Sequence, residues 1–317
     1  MVAEGLPGNP PRDKVNSLER ISLFARAIFR VMQPPGLDIF MSHLFYRWAG
    51  QLAAIICILI ASAGPAFADW EKIRQGGVLK VAVYNDFAPF SANGAGIDVD
   101  LAEALAKKLN LKLSVLPFPA GENLNDDLRN MVWKGHYLGY GPADLLMHVP
   151  VDRRLMAEND MVEIFAPYHR ETVRLVRSSK AIPAFDGLDA LAGKTLGVEK
   201  ISISAVVLLG EQDGRFRDGV RIYTTPIDAL QDLKAGKLDA VLANQSEIES
   251  VFKGDSNFPI SPVSFARLPN NGWVVGMAVK KSEPELAKML QQAKDELVAS
   301  GEMARIFAKY GVNVATP

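Results

Sequence analysis

Short apolar runs alternate with amphipathic stretches along the chain after residue 76. The clearest amphipathic stretch is IDVDLAEALAKKLN (97–110), in which Leu101, Leu105 and Leu109 fall on one face of a helix. The first series of predicted elements is strand 78–84, helix 97–110, strand 111–118, helix 124–135 and strand 143–149. This alternation predicts a parallel, doubly wound α/β sheet, and such sheets bind ligands outside the carboxyl ends of their strands.

A second series of the same kind follows the segment ETVRLVRSS (171–179). Its predicted elements are strand 194–199, helix 202–210, strand 220–225, helix 226–237 and strand 238–244, followed by strand 273–281 and helices 283–299 and 302–309. The helix at 226–237 is marked by a proline at its start and a glycine near its end. Two series of alternating elements predict two lobes, each with its own binding edge.

The segment before these series has a different character. Residues 48–68 hold an apolar stretch of about ten residues behind Arg47, too short for a comfortable membrane span, and they end in Ala66-Phe67-Ala68. We expect residues 41–68 to be a cleavable secretory signal, with the mature chain starting at Asp69 in the periplasm; an uncleaved anchor is the alternative. Residues 1–40 would be an extension or an over-called start.

Composition and charge exclude several classes of function. The formal net charge is −1 and no basic block is present, which argues against binding to nucleic acid. The single cysteine, Cys57, lies in the predicted signal, so the mature chain would have no disulfide, no cysteine zinc site and no thiol nucleophile.

Motifs for common enzyme classes are also missing. The sequence contains no Gly-x-Ser-x-Gly motif, phosphate loop or His-Glu-x-x-His motif, and His136, His148 and His169 lack metal-ligand spacing. We therefore expect no cofactor, no metal and no enzymatic activity. One enzymatic alternative stays open: a dehydratase on the same fold, with Asp152 or Glu199 as the acid.

Six segments in order resemble the periplasmic solute-binding proteins of the amino-acid-binding type (bacterial extracellular solute-binding protein family 3). The segments are GVLKVAVYNDFAPFS, GIDVDLAEALAKKL, APYHRETVRLVRSS, LDALAGKTLGVE, ALQDLKAGKLDAVLAN and GMAVKKSEPELAKMLQQAKDELVASGEMARIFAKYG. The resemblance implies two doubly wound α/β lobes, joined by two extended hinge crossings near 171–176 and 272–276. Lobe one would comprise 69–172 and 274–317, and lobe two 173–273. It also implies a monomer that delivers its solute to an inner-membrane ABC-type permease.

The resemblance also implies a ligand clamp. Phe87 stands at the position of the aromatic that covers the solute, and Arg153 at that of the arginine that grips the solute's carboxylate, with Arg154 as a competing candidate. Ser202 and Ser204 stand where the family presents a hydroxyl and free amides to the same carboxylate, although helix capping alone would also explain them. His148 would be a polar residue lining the cleft.

The departures from the family pattern lead to further expectations. Asn244 stands where amino-acid binders usually place an aspartate for the α-ammonium group, and a carboxamide has no charge to offset the desolvation of that ammonium. We therefore expect a small anionic solute that is not a standard α-amino acid, unless Asp86 or Glu199 supplies the missing charge. The stretch ADLLMHVP (143–150) also resembles accessory proteins of periplasmic quinoprotein alcohol dehydrogenases. A non-transport accessory role with such a dehydrogenase as partner is the alternative function.

Overall fold

Two five-stranded mixed sheets form the framework of residues 68–268 and 271–317, which are the residues that the computed structural model describes. The strands are β1 (Val78–Tyr84), β2 (Asp86–Phe87), β3 (Ser91–Ala92), β4 (Lys112–Phe118), β5 (Leu145–Pro150), β6 (Val162–Glu171), β7 (Val173–Arg177), β8 (Leu196–Glu199), β9 (Val220–Tyr223), β10 (Ala240–Asn244), β11 (Ile260–Pro262) and β12 (Trp273–Lys280). The helices are α1 (Ala68–Gly76), α2 (Ile97–Lys108), α3 (Leu124–Leu128), α4 (Arg153–Glu158), α5 (Ile203–Gly210), α6 (Pro226–Lys234), α7 (Gln245–Phe252), α8 (Pro284–Ala299) and α9 (Glu302–Lys309).

The first sheet has the order β4-β1-β5-β12-β6, and its alternating residues fill two cores. Leu79, Val81 and Val83 of β1 pack with helices α2 and α8 on one face. Ala82, between them in sequence, belongs to a second core on the other face. The sheet is therefore covered by apolar side chains on both faces, as its sequence pattern predicts.

The second sheet has the order β11-β7-β10-β8-β9 and lies within residues 173–262. Strand β8 runs parallel to β9 and β10, whereas β7 runs antiparallel to β10 and β11. Its two faces carry separate clusters of buried side chains, one around Leu196 and Leu242 and the other around Leu230 and Val241.

The predicted class, two α/β lobes of the periplasmic binding protein type, is confirmed, but the sheets are mixed rather than wholly parallel. Strand β6 leads from the first sheet through the single residue Thr172 into β7 of the second sheet, and β12 returns the chain to the first sheet. Because β6 leaves the first sheet and β12 re-enters it, these two strands pair antiparallel. Strand β12 also pairs antiparallel with β5.

Several local boundaries also differ from the sequence expectation. The segment 171–179 holds the end of β6 and strand β7, and the predicted helix 124–135 is α3 followed by a π-helical turn at Arg129–Trp133. Helices α1, α4 and α7 were not predicted.

The expected extension (1–40) and all but the last residue of the expected signal (41–68) lie outside the described residues. Within residues 68–268 and 271–317, no helix has both the length and the apolar character needed to span a bilayer.

Candidate functional site

A cleft between the two sheets is formed by three adjoining cavities of about 520, 240 and 300 Å³. All three are lined by Phe87, and we refer to them together as the cleft. The lining residues lie at or just beyond the carboxyl ends of strands in both sheets, including Tyr84 of β1, Pro150 of β5, Glu199 of β8 and Asn244 of β10. The cleft is therefore at the place where an α/β sheet binds ligands, and it is large enough for a small organic molecule.

Phe87 forms an aromatic surface on the lobe-one side of the cleft. Its ring stacks on Phe90, with 5.6 Å between centroids, and meets the rings of Tyr84 and His148 edge-on at 5.9 and 4.7 Å. The β2–β3 hairpin holds Phe87 opposite Ser91. These contacts fix the ring, so it offers a flat apolar face at low entropic cost.

His148 lies in a β-bulge of strand β5. Between the pairs Val149–Gly276 and Leu146–Ala278, two residues of β5 oppose one residue of β12, and His148 has a φ of +61°. Bulges redirect side chains next to functional sites. On the other side of β12, Gly276 permits the close approach of β6, because a Cβ there would lie 2.5 Å from the carbonyl oxygen of Phe165. The bulge places the His148 ring, which is only 7% exposed, at the wall of the cleft.

His148 is hydrogen-bonded to a buried pair of side chains, Asp98 and Tyr168. Its Nδ1 lies 3.2 Å from Oδ2 of Asp98, and the hydroxyl of Tyr168 donates to Oδ1 of Asp98 at 2.7 Å. Asp98 and Tyr168 are each 1% exposed. Burial, followed by the nearby Asp98 charge, raises the pKa of Tyr168 well above its usual value, so its hydroxyl stays protonated and remains a donor.

On the lobe-two side, the start of helix α5 faces the cleft. The hydroxyl of Ser202 donates to the carbonyl of Glu199 at 2.7 Å and accepts from the amide of Ala205 at 3.1 Å, so Ser202 is the N-cap of α5. Ser204 is buried and also lines the cleft. Burial, and then the Asp86 charge on the opposite lobe, raise the pKa of Glu199.

Asn244 is held by Glu247. The backbone amide of Asn244 donates to Oε2 of Glu247 at 2.9 Å, and its side-chain amide donates to Oε1 at 3.1 Å. Burial, followed by the neighbouring Glu171 charge, raises the pKa of Glu247 well above its usual value. The carboxamide expected to face the solute is therefore tied to an acidic residue that also lines the cleft.

The cleft is lined mainly by acidic rather than basic side chains. The carboxyl groups that line its cavities are those of Asp86, Glu122, Asp127, Glu171, Glu199, Asp228 and Glu247. Among the described residues, no lysine or arginine lines these cavities, and His148 is the one basic side chain there. The cleft thus favours positively charged groups.

The structure brings most of the predicted site residues together and leaves one at the margin. Phe87, His148, Ser202, Ser204 and Asn244 all line the cleft. Arg153 is exposed at the first position of α4, three residues beyond Pro150, and does not line the cavities.

The two candidate arginines differ in their partners. Arg154 forms an ion pair with Glu158, with 2.7 Å between Nε and Oε1. In contrast, Arg153 makes no hydrogen bond or ion pair with any residue that the structure describes.

Sequence reasoning missed other residues of the cleft. Trp273, at the start of β12, lines two of its cavities, and Tyr84 donates a hydrogen bond of 3.2 Å to Asp127 at its edge. The pattern Asn-x-x-Glu at 244–247 is a helix-start signal that could have indicated Glu247. Trp273 carries no comparable local signal. In the described residues no group of acidic, histidine or cysteine side chains has the arrangement of a metal site.

Relatives of this chain are mainly binding proteins. It is 28% identical over 280 residues to a probable histidine-binding protein of Neisseria gonorrhoeae, covering 83% of this chain and 95% of the relative. The chain is also 38% identical to a cyclohexadienyl dehydratase of Pseudomonas aeruginosa over 82 residues, but this match spans only 31% of that enzyme. No protein-family model matches the chain.

Solved structures show the same architecture. An ancestral cationic amino acid solute-binding protein superimposes with a TM-score of 0.59 at 19% identity, over 76% of this chain and 98% of the other. The protein thus has the fold of the amino-acid-binding solute-binding proteins and is similar to them over most of its described length. The narrower likeness to accessory proteins of quinoprotein dehydrogenases is not confirmed by these relatives.

Proposed function

We propose that this protein is a periplasmic solute-binding protein that holds an amino acid with a cationic side chain in the cleft and delivers it to an ABC-type importer. The observation that carries the proposal is the set of acidic side chains from both lobes, with no lysine or arginine among the described lining residues. The names of the relative and of the structural neighbour, a histidine binder and a cationic amino acid binder, support the same class of solute.

This proposal replaces the sequence-based expectation of an anionic solute. That expectation assumed that Asn244 left a solute ammonium without a counter-charge. The cleft supplies the charge elsewhere, from Asp86 on lobe one and from Glu199 on lobe two. A cation held between the lobes would reduce the repulsion among these carboxylates and so stabilise closure.

The carboxylate of the amino acid would bind at the rim of the cleft. Arg153 is our candidate for this contact, because it has no partner among the described residues and follows the strand end that lines the cleft. A guanidinium can donate two parallel hydrogen bonds to a carboxylate. The first amides of helix α5 offer further donors beside Ser204.

Calorimetry with a panel of solutes tests the proposal. We expect L-arginine, L-lysine or L-histidine to bind at micromolar concentrations or below, and L-glutamate, lactate and pyruvate to bind at least a hundredfold more weakly. Tight binding of an anionic acid with no response to the cationic amino acids would refute it. Turnover of a prephenate-like substrate in the same samples would favour the dehydratase suggested by the partial match.

A further inference from the structure

The structure assigns to His148 a specific task in the cleft: its Nε2 accepts a hydrogen bond from a positively charged N–H group of the solute, and Asp98 and Tyr168 position the ring for this. This inference rests on the proposed function, because it names the residue on lobe one that recognises the cation.

The first step is the orientation of the ring. His148 contacts both Phe87 and Phe90, with centroid distances of 4.7 and 4.1 Å, and the bulge in β5 fixes its backbone. Oδ2 of Asp98 lies 3.2 Å from Nδ1 of the His148 ring. With Nδ1 bonded and two aromatic rings in contact, the ring has little freedom to turn.

The second step is the position of the proton. Because the Tyr168 hydroxyl donates to Oδ1 of Asp98, the carboxylate acts as an acceptor, and the hydrogen at its other oxygen comes from Nδ1 of His148. In a neutral imidazole, Nε2 then carries the lone pair. A second contact, 3.4 Å between the Tyr168 hydroxyl and Nδ1, is compatible with the same tautomer.

The third step is the free acceptor. Nε2 of His148 has no hydrogen-bond partner among the residues that the structure describes, although the side chain is more than nine-tenths buried. The residue lines the same cavity as Glu171 and Asp127. A nitrogen lone pair on a ring that is backed by a carboxylate and lines an acidic cavity suits an ammonium or guanidinium donor and disfavours an anion.

Two substitutions at position 148 separate these roles. Asparagine tolerates a positive φ and its amide can still donate to Asp98, but it is too short to reach the Nε2 position. Glutamine reaches that position. We expect His148→Asn to weaken binding of the amino acid that binds tightest among L-arginine, L-lysine and L-histidine by about ten- to a hundredfold. His148→Gln should recover part of this loss.

The role of Asp98 is tested by the tautomer of the ring. The chain has four histidines, so long-range ¹H–¹⁵N correlation spectra, assigned with His148→Gln, can identify the His148 signals. We expect the Nδ1–H tautomer in the free protein and a shift of Nε2 when the amino acid is added. Asp98→Asn, which replaces one of the two acceptor oxygens with an NH2 donor, should change the tautomer and weaken binding.

The outcomes separate the two proposals. If the wild-type protein binds one of these amino acids and His148→Asn binds it equally well, the inference is wrong and the proposed function stands. An Nε2–H tautomer in the free wild-type protein would also overturn the inference. If the wild-type protein binds none of the three amino acids, the proposed function fails, and the inference fails with it.

Discussion

The carboxylate of Glu171 accepts hydrogen bonds from both the hydroxyl and the backbone amide of Ser246. Glu171 is the last residue of β6, at the crossing between the sheets, and Ser246 lies in the first turn of α7. Both are 1% exposed. Burial raises the pKa of Glu171, while the bonds from Ser246 and Thr172 oppose that shift. This contact therefore links the strand that leaves lobe one to a helix of lobe two.

Removal of the Ser246 hydroxyl should destabilise the protein. Ser246→Ala leaves a buried carboxylate short of a donor, and we expect a loss of about 1–3 kcal/mol in the free energy of unfolding, measured by denaturant titration. Ser250→Ala is the matched control, because that hydroxyl donates only to a carbonyl of its own helix, that of Glu247. Equal losses from the two variants would show that the contact with Glu171 contributes nothing special.

His169 should make stability fall in acid. Burial lowers its pKa from 6.5 to about 4, and its Nδ1 accepts the backbone amide of Ala315 at 3.2 Å. A lowered pKa means that folding favours the neutral ring, so the stabilisation is complete above pH 6.5 and is lost as the pH falls towards 4. At about 1.4 kcal/mol per pH unit, the loss is about 3 kcal/mol.

His169→Asn tests this assignment, because the Asn oxygen can still accept from Ala315 but does not titrate. The difference in unfolding free energy between wild type and variant, measured by urea titration from pH 8 to pH 4, should be constant above pH 7 and shift in favour of the variant below pH 6. A difference that stays constant over the whole range would contradict the assignment.

Glu247 should have the opposite pH dependence. Its pKa is raised by burial and by the adjacent Glu171, so its folded form favours the protonated acid. The corresponding stabilisation is present below the usual pKa of 4.5 and is lost as the pH rises. Glu247→Gln removes this loss. We therefore expect the free energy of unfolding of the variant to rise, relative to that of the wild type, by up to about 1.4 kcal/mol per pH unit above pH 4.5. Thermal unfolding that shows parallel curves for the two proteins would refute this.

Much of the fold followed from local sequence patterns. The run at 78–84 and the amphipathic stretch at 97–110 correspond to β1 and α2, because side-chain periodicity is a property of neighbouring residues. Periodicity does not locate the crossing at Thr172, since an extended chain that changes sheets keeps the same alternation; the crossing near 171–176 was implied only by the family resemblance. The antiparallel course of β12 depends on pairing with distant strands, which periodicity does not specify.

The candidate site was predictable only in part for the same reason. Asn244 lies at the end of a strand that the pattern located, and Phe87 lies three residues beyond the end of another. The orientation of His148, in contrast, comes from a bulge defined by the register of β5 against β12 and from Asp98, fifty positions earlier in the chain. The acidic character of the cleft arises only when residues from both lobes are brought together, and this is why the charge of the solute was first misjudged.

Arg153 and Arg154 should differ in their effect on binding. Arg153 is without a partner among the described residues, whereas Arg154 is already paired with Glu158 on the surface of α4. If Arg153 holds the carboxylate of the bound amino acid, Arg153→Ala should weaken binding by at least about tenfold, which corresponds to 1.4 kcal/mol. Arg154→Ala should leave the affinity within about twofold. Calorimetry on both variants decides, and similar small losses would remove Arg153 from the site.

The acidic pair across the cleft should set the preference for cations. Asp86 belongs to lobe one and Glu199 to lobe two, and both line the same cavity. Neutralising either one, by Asp86→Asn or Glu199→Gln, removes an attraction to the bound cation, and we expect about a tenfold loss of affinity for the cationic amino acid that binds tightest. The matched control is Glu158→Gln, which removes an acid on the surface of α4 away from the cleft lining. The loss should be larger at low ionic strength, because salt screens partly exposed charges. If Asp86→Asn and Glu199→Gln bind the cationic amino acid as tightly as wild type at both low and high salt, the cation lies elsewhere in the cleft and this pair does not select it.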